Sequence, residues 1–242
     1  MKIKNQISKI KNLTVKIVIG VFLLFAGHWL LSAKETSKSI FWRGKANQKM
    51  VCLTFDDGPD PEITPKILKI LQDYNLKATF FMLGCNAGTY PQIVRLVDDA
   101  GQDIGNHTYQ HLNFYTYKRA DKEEKLTQEI ERTSLVIKKI IGKAVRWVRL
   151  PYGYNKQWAR ELAADQGYVF LTWTFGCDWN KMTADQLIEA YLKNAQNGAI
   201  FLLHDGKKHY KTIEALPKII EGLQKKGFKI VTLQEIYESL EK

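Results

Sequence analysis

Short apolar runs alternate with amphipathic stretches along the chain from residue 50 onward. Each run is four to six residues long and ends at polar or glycine-containing segments, a pattern that predicts β-strands. Seven such runs occur, at residues 51–55, 78–83, 102–105, 146–150, 168–173, 199–203 and 228–231. The stretches between them repeat apolar residues at the spacing of a helix surface, within residues 64–74, 91–101, 125–142, 155–167, 183–198 and 212–227.

Strands separated by helices predict a parallel sheet, because a parallel neighbour requires a crossover long enough to hold a helix. About seven strand–helix units fit the chain. We therefore predict an α/β fold, a distorted or incomplete (β/α) barrel of about seven units that is preceded by an N-terminal hydrophobic anchor helix. A doubly wound open sheet is the alternative arrangement of the same elements.

The N-terminal region has a different composition from the rest of the chain. Residues 17–33, IVIGVFLLFAGHWLLSA, contain no charged side chain, and lysines precede them. This pattern predicts that residues 1–34 are a signal-anchor with its N-terminal side in the cytoplasm, or else a cleavable signal peptide. Both alternatives place the remainder outside the cytoplasm, with residues 35–49 as a polar linker and residues 50–242 as one catalytic domain.

The charge distribution excludes one large class of partner. The formal net charge is +11, and six lysines among the first 34 residues account for +6 of it, which leaves 11 − 6 = +5 for the remainder. Nucleic-acid grooves need clustered Arg and Lys with interleaved aromatic residues, and no such cluster is present. We therefore predict no nucleic-acid partner, while the sequence does not determine the oligomeric state.

The three cysteines, Cys52, Cys85 and Cys177, form no CxxC pair, so they do not predict a thiolate metal site or a redox motif. We expect packed thiols. A bridge between Cys85 and Cys177 stays open as an alternative in an oxidising compartment.

Polar residues follow several predicted strands at the point where each strand ends. In β/α barrels the loops at the carboxyl ends of the strands build the functional site, so these residues are expected to share one rim. They are Asp56 and Asp57, Asn106 and His107, Arg149 to Gly153, Asp178 and Trp179, and His204 and Asp205.

His107 and His111 are four residues apart, which in a helical turn would place both imidazoles on one face at a spacing that suits a shared metal ion. A capping or surface pair is the alternative. Either Asp56 or Asp57 is able to supply a carboxylate ligand, and the glycine that follows them allows the chain to turn both acids toward one pocket. Two histidines and one carboxylate leave coordination positions open for water and substrate.

Five ordered segments resemble the motifs of the polysaccharide deacetylases, the NodB-homology domain of the carbohydrate esterases. The resemblance extends over roughly residues 48–238. It is carried by TFDDG (54–58), HTYQH (107–111), RLPYG (149–153), DW (178–179) and LLH (202–204).

The resemblance implies a divalent metal site and a neighbouring base. By likeness, Asp57, His107 and His111 would hold the ion, usually Zn²⁺ in such enzymes, with Co²⁺, Mn²⁺ or Ni²⁺ as alternatives. Asp56 would be the general base.

It also implies the remaining roles. Arg149 would orient the base, and the backbone N–H of Tyr152 would face the oxyanion. His204 would be the general acid, tuned by Asp178, and Trp179 would wall the sugar pocket. The chain departs from the family pattern at the fourth motif, where Phe175 occupies the place of a frequent acid and Cys177 precedes Asp178.

The function implied is metal-dependent removal of N-acetyl groups from an extracytoplasmic aminosugar polymer, with acetate as product. Peptidoglycan is the first candidate, because an exported, membrane-tethered enzyme meets the cell-wall glycan first. Chitooligosaccharides and O-acetylated xylan remain alternatives within the family. A catalytically inactive glycan-binding module and an unrelated metal phosphoesterase or peptidase are the competing classes.

Overall fold

Seven parallel β-strands form the centre of the protein in the computed structural model, which describes residues 40–45 and 47–240. The strands are β1 Met50–Asp56, β2 Thr79–Met82, β3 Asp103–Asn106, β4 Trp147–Val148, β5 Val169–Phe170, β6 Ala199–His204 and β7 Lys229–Ile230. Their order is β5-β4-β3-β2-β1-β6, and β7 pairs with the beginning of β1. Every strand was predicted from its apolar run.

Helices follow most of the strands. They are α1 Ile63–Asp73, α2 Gly84–Thr89, α3 Pro91–Asp99, α4 Lys122–Ile141, α5 Gln157–Asp165, α6 Ala184–Lys193, α7 Tyr210–Lys225 and α8 Leu233–Glu238, with a short 3₁₀ turn at Pro151–Gly153. The six predicted helices are present, whereas the short α2 and α8 were not predicted. No helix in the described part of the chain is both long and apolar enough to cross a membrane. The predicted anchor helix within residues 1–34 lies outside the described residues.

The strand order distinguishes the two predicted architectures. From β1 to β5 each new strand adds on the same side, without the reversal of a doubly wound sheet. Beyond β5 the chain reaches β6, where the Thr174 N–H donates to the Ile200 carbonyl at 2.8 Å and the Leu202 N–H donates to the Phe175 carbonyl at 2.9 Å. The α/β class and a parallel half-barrel are therefore confirmed.

Side chains of β1 alternate between two environments, as the period of a strand requires. Val51, Leu53 and Phe55 belong to the core cluster that packs against the helices, whereas Cys52 belongs to a second cluster inside the curved sheet. Asp56 lies four residues after Cys52, so its side chain points to the same face of the strand. The carboxylate therefore lies on the inner face, at the carboxyl end of β1. All three cysteines are free thiols, and the Cys85–Cys177 bridge is absent.

Part of the predicted linker packs on the domain. The Phe41 N–H donates to the Phe170 carbonyl at 3.2 Å, and the Thr172 N–H donates to the Phe41 carbonyl at 2.9 Å. The Phe41 side chain is buried, with its ring centroid 5.1 Å from that of Tyr237. Residues 40–45 therefore add to the sheet region before β1 begins.

Candidate active site

The two adjacent carboxylates at the end of β1 face one pocket because the chain turns sharply after Asp56. Asp57 has a φ of +75°, the left-handed region that non-glycine residues rarely adopt. The Gly58 N–H donates to Asp205 Oδ1 at 3.1 Å, and a Cβ at residue 58 would lie only 2.3 Å from Asp205 Oδ2. The buried Asp205 carboxylate thus fixes the turn, and the position requires glycine.

Asp57, His107 and His111 form a cluster whose atoms are placed to share a cation. Asp57 Oδ1 lies 3.1 Å from His111 Nε2 and 3.4 Å from His107 Nε2. This oxygen is buried and makes no hydrogen bond of good geometry, which is the condition expected of an acceptor whose partner is an ion. His107 Nδ1 lies 2.7 Å from the Arg149 carbonyl, so this nitrogen is the donor and Nε2 keeps its lone pair for a metal. The donor set fits a divalent ion.

The helical turn expected for the histidine pair does not form. Residues 107–111 are an irregular loop, in which Thr108 has a φ of +68° and His111 a φ of +57°. The buried Glu129 on α4 holds this loop, because its Oε2 accepts hydrogen bonds from the Tyr109 N–H at 3.0 Å and the Gln110 N–H at 2.7 Å. The imidazoles converge through this strained loop and not through helical spacing.

Electrostatics favour an anionic Asp57 beside the two imidazoles. Burial alone would raise the pKa of Asp57, but the adjacent His107 and His111 lower it well below its usual range. Burial alone would lower the pKa of His107, but the charges of Asp56 and Asp57 raise it. The pocket therefore holds negative charge that a cation would neutralise.

Asp56 and Arg149 form a buried ion pair next to this cluster. Arg149 is fully buried, and its Nη1 donates to Asp56 Oδ1 and to Thr54 Oγ1, both at 2.8 Å. Its Nη2 donates to the Thr172 carbonyl at 3.2 Å. A guanidinium fixed at three acceptors leaves the other oxygen, Asp56 Oδ2, directed toward the cluster, 3.7 Å from His107 Nε2.

His204 and Asp178 form a second polar group at the end of β6, the strand that neighbours β1. His204 Nδ1 lies 2.7 Å from Asp178 Oδ1, and the His204 backbone N–H donates to Asp178 Oδ2 at 2.8 Å. Burial would lower the pKa of His204, but the hydrogen bond and charge of Asp178 raise it to about 9. Because Nδ1 is engaged by Asp178, Nε2 is the nitrogen available to a substrate.

One pocket of about 430 Å³, within the usual range for small-molecule sites, is lined by Asp56, Asp57, His107, His111 and His204. Arg149 and Asp178 lie behind this lining and contact it through Asp56 and His204. The strand register brings them together, since Asp56 at the end of β1 is paired with His204 at the end of β6. Tyr152 and Trp179 stand at its mouth, with 58% and 50% of their surfaces exposed. The Tyr152 ring is 4.8 Å from that of His111, and Trp179 contacts His204 edge-on at 5.6 Å.

The fourth motif places Asp178 against His204, although Phe175 and Cys177 depart from the family pattern. The partly buried Phe175 packs edge-on against Tyr191 and Phe201 of the core. The Cys177 N–H donates to the Tyr191 hydroxyl at 3.3 Å, and the Cys177 thiol is buried. An apolar residue at 175 therefore anchors this loop by packing, and Asp178 still reaches His204.

The structure brings all nine predicted site residues to one rim, and it adds four that the sequence did not single out for a role. Glu129 binds the histidine loop, and Asp205 binds the turn after Asp57. Asn86 Nδ2 donates to the Asp57 carbonyl at 2.9 Å, and the ring of His209 lies nearly parallel to that of His204. Only Asp205, which directly follows His204 in the sequence, carried a local signal.

The chain is similar to known proteins over most of its length. A family model described as Polysaccharide deacetylase matches residues 43–171. A peptidoglycan-N-acetylglucosamine deacetylase of Bacillus cereus is 35% identical over 216 residues, 88% of this chain and 77% of that protein. A chitooligosaccharide deacetylase of Sinorhizobium fredii is 32% identical over 197 residues, 76% of this chain and 90% of that protein.

A solved structure of a deacetylase is also similar to this chain. The crystal structure of a peptidoglycan N-acetylglucosamine deacetylase superposes with a TM-score of 0.77 at 36% identity, covering 81% of this chain and 92% of that one. The parallel α/β fold of this chain is therefore shared with this relative. The chain belongs to the polysaccharide deacetylase family.

Proposed function

We propose that this deacetylase is a metal-dependent hydrolase that removes N-acetyl groups from the aminosugars of peptidoglycan outside the cytoplasm. One observation carries the proposal: the Asp57–His107–His111 cluster lies beside Asp56 in the same pocket that presents His204. This arrangement combines a cation site with a group that is able to accept a proton, Asp56, and a group that is able to donate one, His204. Such a combination suits amide hydrolysis.

An N-acetyl amide is a poor electrophile, and water at neutral pH is a poor nucleophile. A divalent ion bound by Asp57, His107 and His111 would polarise the carbonyl and lower the pKa of water from about 15.7 toward ~7. The carboxylate of Asp57 and the neutral nitrogens of the imidazoles suit Zn²⁺, and also Co²⁺, Mn²⁺ and Ni²⁺.

The remaining steps belong to the chain's own residues. Asp56, held by Arg149 through Oδ1, accepts the proton of the attacking water at Oδ2. The Tyr152 N–H donates to the oxyanion as the tetrahedral species forms, a contact whose loss typically costs about 10² to 10³ in turnover. His204, kept charged by Asp178, then gives its Nε2 proton to the departing amine, so the C–N bond breaks with a neutral leaving group.

The identity of the sugar rests on the relatives and on the pocket. The relatives named above act, by their names, on peptidoglycan and on chitooligosaccharides, and both substrates contain N-acetylglucosamine. Exposed Tyr152 and Trp179 flank the pocket and offer apolar faces on which a pyranose ring is able to stack. We therefore assign N-acetylglucosamine in a wall glycan as the substrate.

Acetate release from purified peptidoglycan and from N-acetylglucosamine oligomers tests the proposal. The metal-loaded protein should release acetate, a chelator should abolish the release, and added Zn²⁺ should restore it. Mass spectrometry of the muropeptides should then show the loss of acetyl groups from glucosamine. Release from acetylated xylan alone, or no release from any glycan, would contradict the assignment, the second result indicating an inactive glycan-binding module.

We also propose that the catalytic domain is held at the outer face of the membrane. The support is the uncharged segment 17–33 and the lysines that precede it. Cell fractionation should recover the full chain with membranes, and a variant without residues 1–34 in another fraction. Equal distribution of the two chains would contradict the anchor.

A further inference from the structure

A second cluster of possible metal ligands lies in the same pocket as the first. Within the described residues, two groups of three side chains have ligand atoms close enough to share an ion, and the second consists of Asp178, His204 and His209. The ring centroids of His204 and His209 are 4.7 Å apart, compared with 5.2 Å for the two histidines of the first cluster. The two clusters are therefore similar in their spacing.

Asp178 has one unfilled acceptor position, on Oδ1, because Oδ2 already accepts two hydrogen bonds. A carboxylate offers about four lone-pair positions. Three of them accept from His204 Nδ1, the His204 backbone N–H and the Thr212 hydroxyl, each at 2.7 to 2.8 Å. His209 Nδ1 faces the same carboxylate at 3.7 Å, too far for a hydrogen bond. A cation shared by this carboxylate and His209 would use the free position on Oδ1 and the unpaired nitrogen of the imidazole.

The loop that carries His209 passes close to Asp57, and His209 lines the pocket. A Cβ at Gly206 would lie 2.6 Å from the Cβ of Asp57, so glycine is required for the loop to pass this close. Lys208 has a φ of +78°, a strained conformation for a residue with a side chain. This loop stacks the His209 ring against that of His204, with an angle of 22° between the two ring planes.

We propose that Asp178, His204 and His209 form a second, weaker divalent-cation site, and that its occupation inhibits the enzyme. An ion at this site takes the lone pair of His204 Nδ1 and releases the proton that the nitrogen shares with Asp178. The ring then no longer forms the imidazolium that donates a proton to the leaving amine. Because that proton must be displaced, the second site fills only at higher metal concentration than the Asp57 cluster.

Equilibrium dialysis of the metal-free full chain against Zn²⁺ tests the site without any substrate. The wild-type protein should bind two equivalents, the second more weakly, and His209→Gln should bind one. Asp57→Asn should lose the tighter equivalent and keep the weaker one, which tests the site without altering His209. Tyr210→Phe is the matched control, since it removes only the hydroxyl that contacts Glu62, and it should bind two.

Acetate release tests the inhibition and rests on the proposed function. Release by the wild type should rise and then fall as Zn²⁺ is added, and His209→Gln should require at least about tenfold more Zn²⁺ for the fall, since even outer-shell changes cost metal sites 10- to 100-fold. A single equivalent in the wild type, or two in a folded His209→Gln protein, would overturn the second site. If dialysis gives two equivalents and no protein releases acetate, the site stands and the proposed function fails.

Discussion

Asp56 is almost completely buried, and a guanidinium fixes one of its two oxygens. Substitution Asp56→Asn keeps the size of the side chain and an oxygen for Arg149, but it removes the group that accepts a proton. We expect metal binding to persist and acetate release to fall by about 10² to 10⁴. Metal content and turnover should be measured on the same sample.

His111→Ala is the matched comparison for this experiment, because it removes a ligand of the proposed ion and leaves the proposed base intact. We expect this variant to lose both metal and activity. If Asp56→Asn instead lost its metal, Asp56 would be a ligand, and the two carboxylates would exchange roles.

We expect the protonation state of His204 to set the pH dependence of turnover. Its pKa is raised to about 9, and the proposed acid must be protonated to act, so the rate should hold through neutral pH and fall as the pH rises past about 9. In Asp178→Asn the charge that favours the imidazolium is gone while burial remains, so the falling limb should move to lower pH by a unit or more. An unmoved limb in kcat/KM measured from pH 6 to 10 would show that another group titrates.

At this scale the sequence predicted residue identities better than residue geometry. Adjacent acids after a strand, paired histidines and a histidine after an apolar run were each visible as patterns. The conformations that bring them together were not, because residue type alone does not determine a φ of +57° at His111 or +75° at Asp57. His209 was missed for a related reason, since its partner Asp178 lies 31 positions earlier, on a different loop.

Among the helices, α4 acts on the site directly, although its predicted amphipathic pattern indicated only packing. Glu129, one turn after Lys125, is buried and accepts hydrogen bonds from two backbone N–H groups of the histidine loop. The sequence pattern does not distinguish such an acid from a solvated one, because both occupy ordinary helical positions. Only the tertiary contact identifies it.

Substitution of Glu129 should therefore affect metal binding from a distance. Glu129→Ala leaves the Tyr109 and Gln110 N–H groups without their acceptor, which typically costs about 1–3 kcal/mol of stability. It also frees the loop that places His111, so we expect the affinity for Zn²⁺ to fall by about 10- to 100-fold. Competition with a chromophoric chelator and thermal unfolding measure the two effects.

Glu131→Ala is the control, because Glu131 lies on the same helix and is exposed. It should change neither quantity appreciably, since surface substitutions usually stay within about ±0.5 kcal/mol. If Glu129→Ala lowered stability and left the Zn²⁺ affinity unchanged, the loop would be positioned by other contacts.

For the whole molecule, the alternation of strand and helix patterns predicted the parallel order, because each crossover needs a helix. The patterns did not predict where the domain begins. Residues 35–49 contain mostly polar side chains and were therefore interpreted as a linker, yet the buried side chain of Phe41 joins residues 40–45 to the sheet and to α8. One apolar contact is too short a signal for a periodicity argument.

The contribution of Phe41 to the stability of the whole domain provides the last prediction. Its ring lies 5.1 Å from Tyr237 and 6.5 Å from Trp147, and it is only 5% exposed, so it connects the segment before β1 to both β4 and the last helix. Phe41→Ala removes a buried aromatic ring, which typically costs about 3–5 kcal/mol. For a domain of this size that corresponds to a fall in Tm of roughly 6 to 20 °C.

The adjacent Trp42 is 50% exposed, so Trp42→Ala is a matched control at the next position, with an expected change within about ±0.5 kcal/mol. Calorimetry of both variants separates packing of this segment from a general effect of losing an aromatic residue there. Equal, small shifts in Tm would mean that the Phe41 side chain adds little to the stability of the domain. A large shift for Phe41→Ala alone would place the start of the folded domain ahead of β1, and any shortened form of the enzyme would then need to retain residue 41.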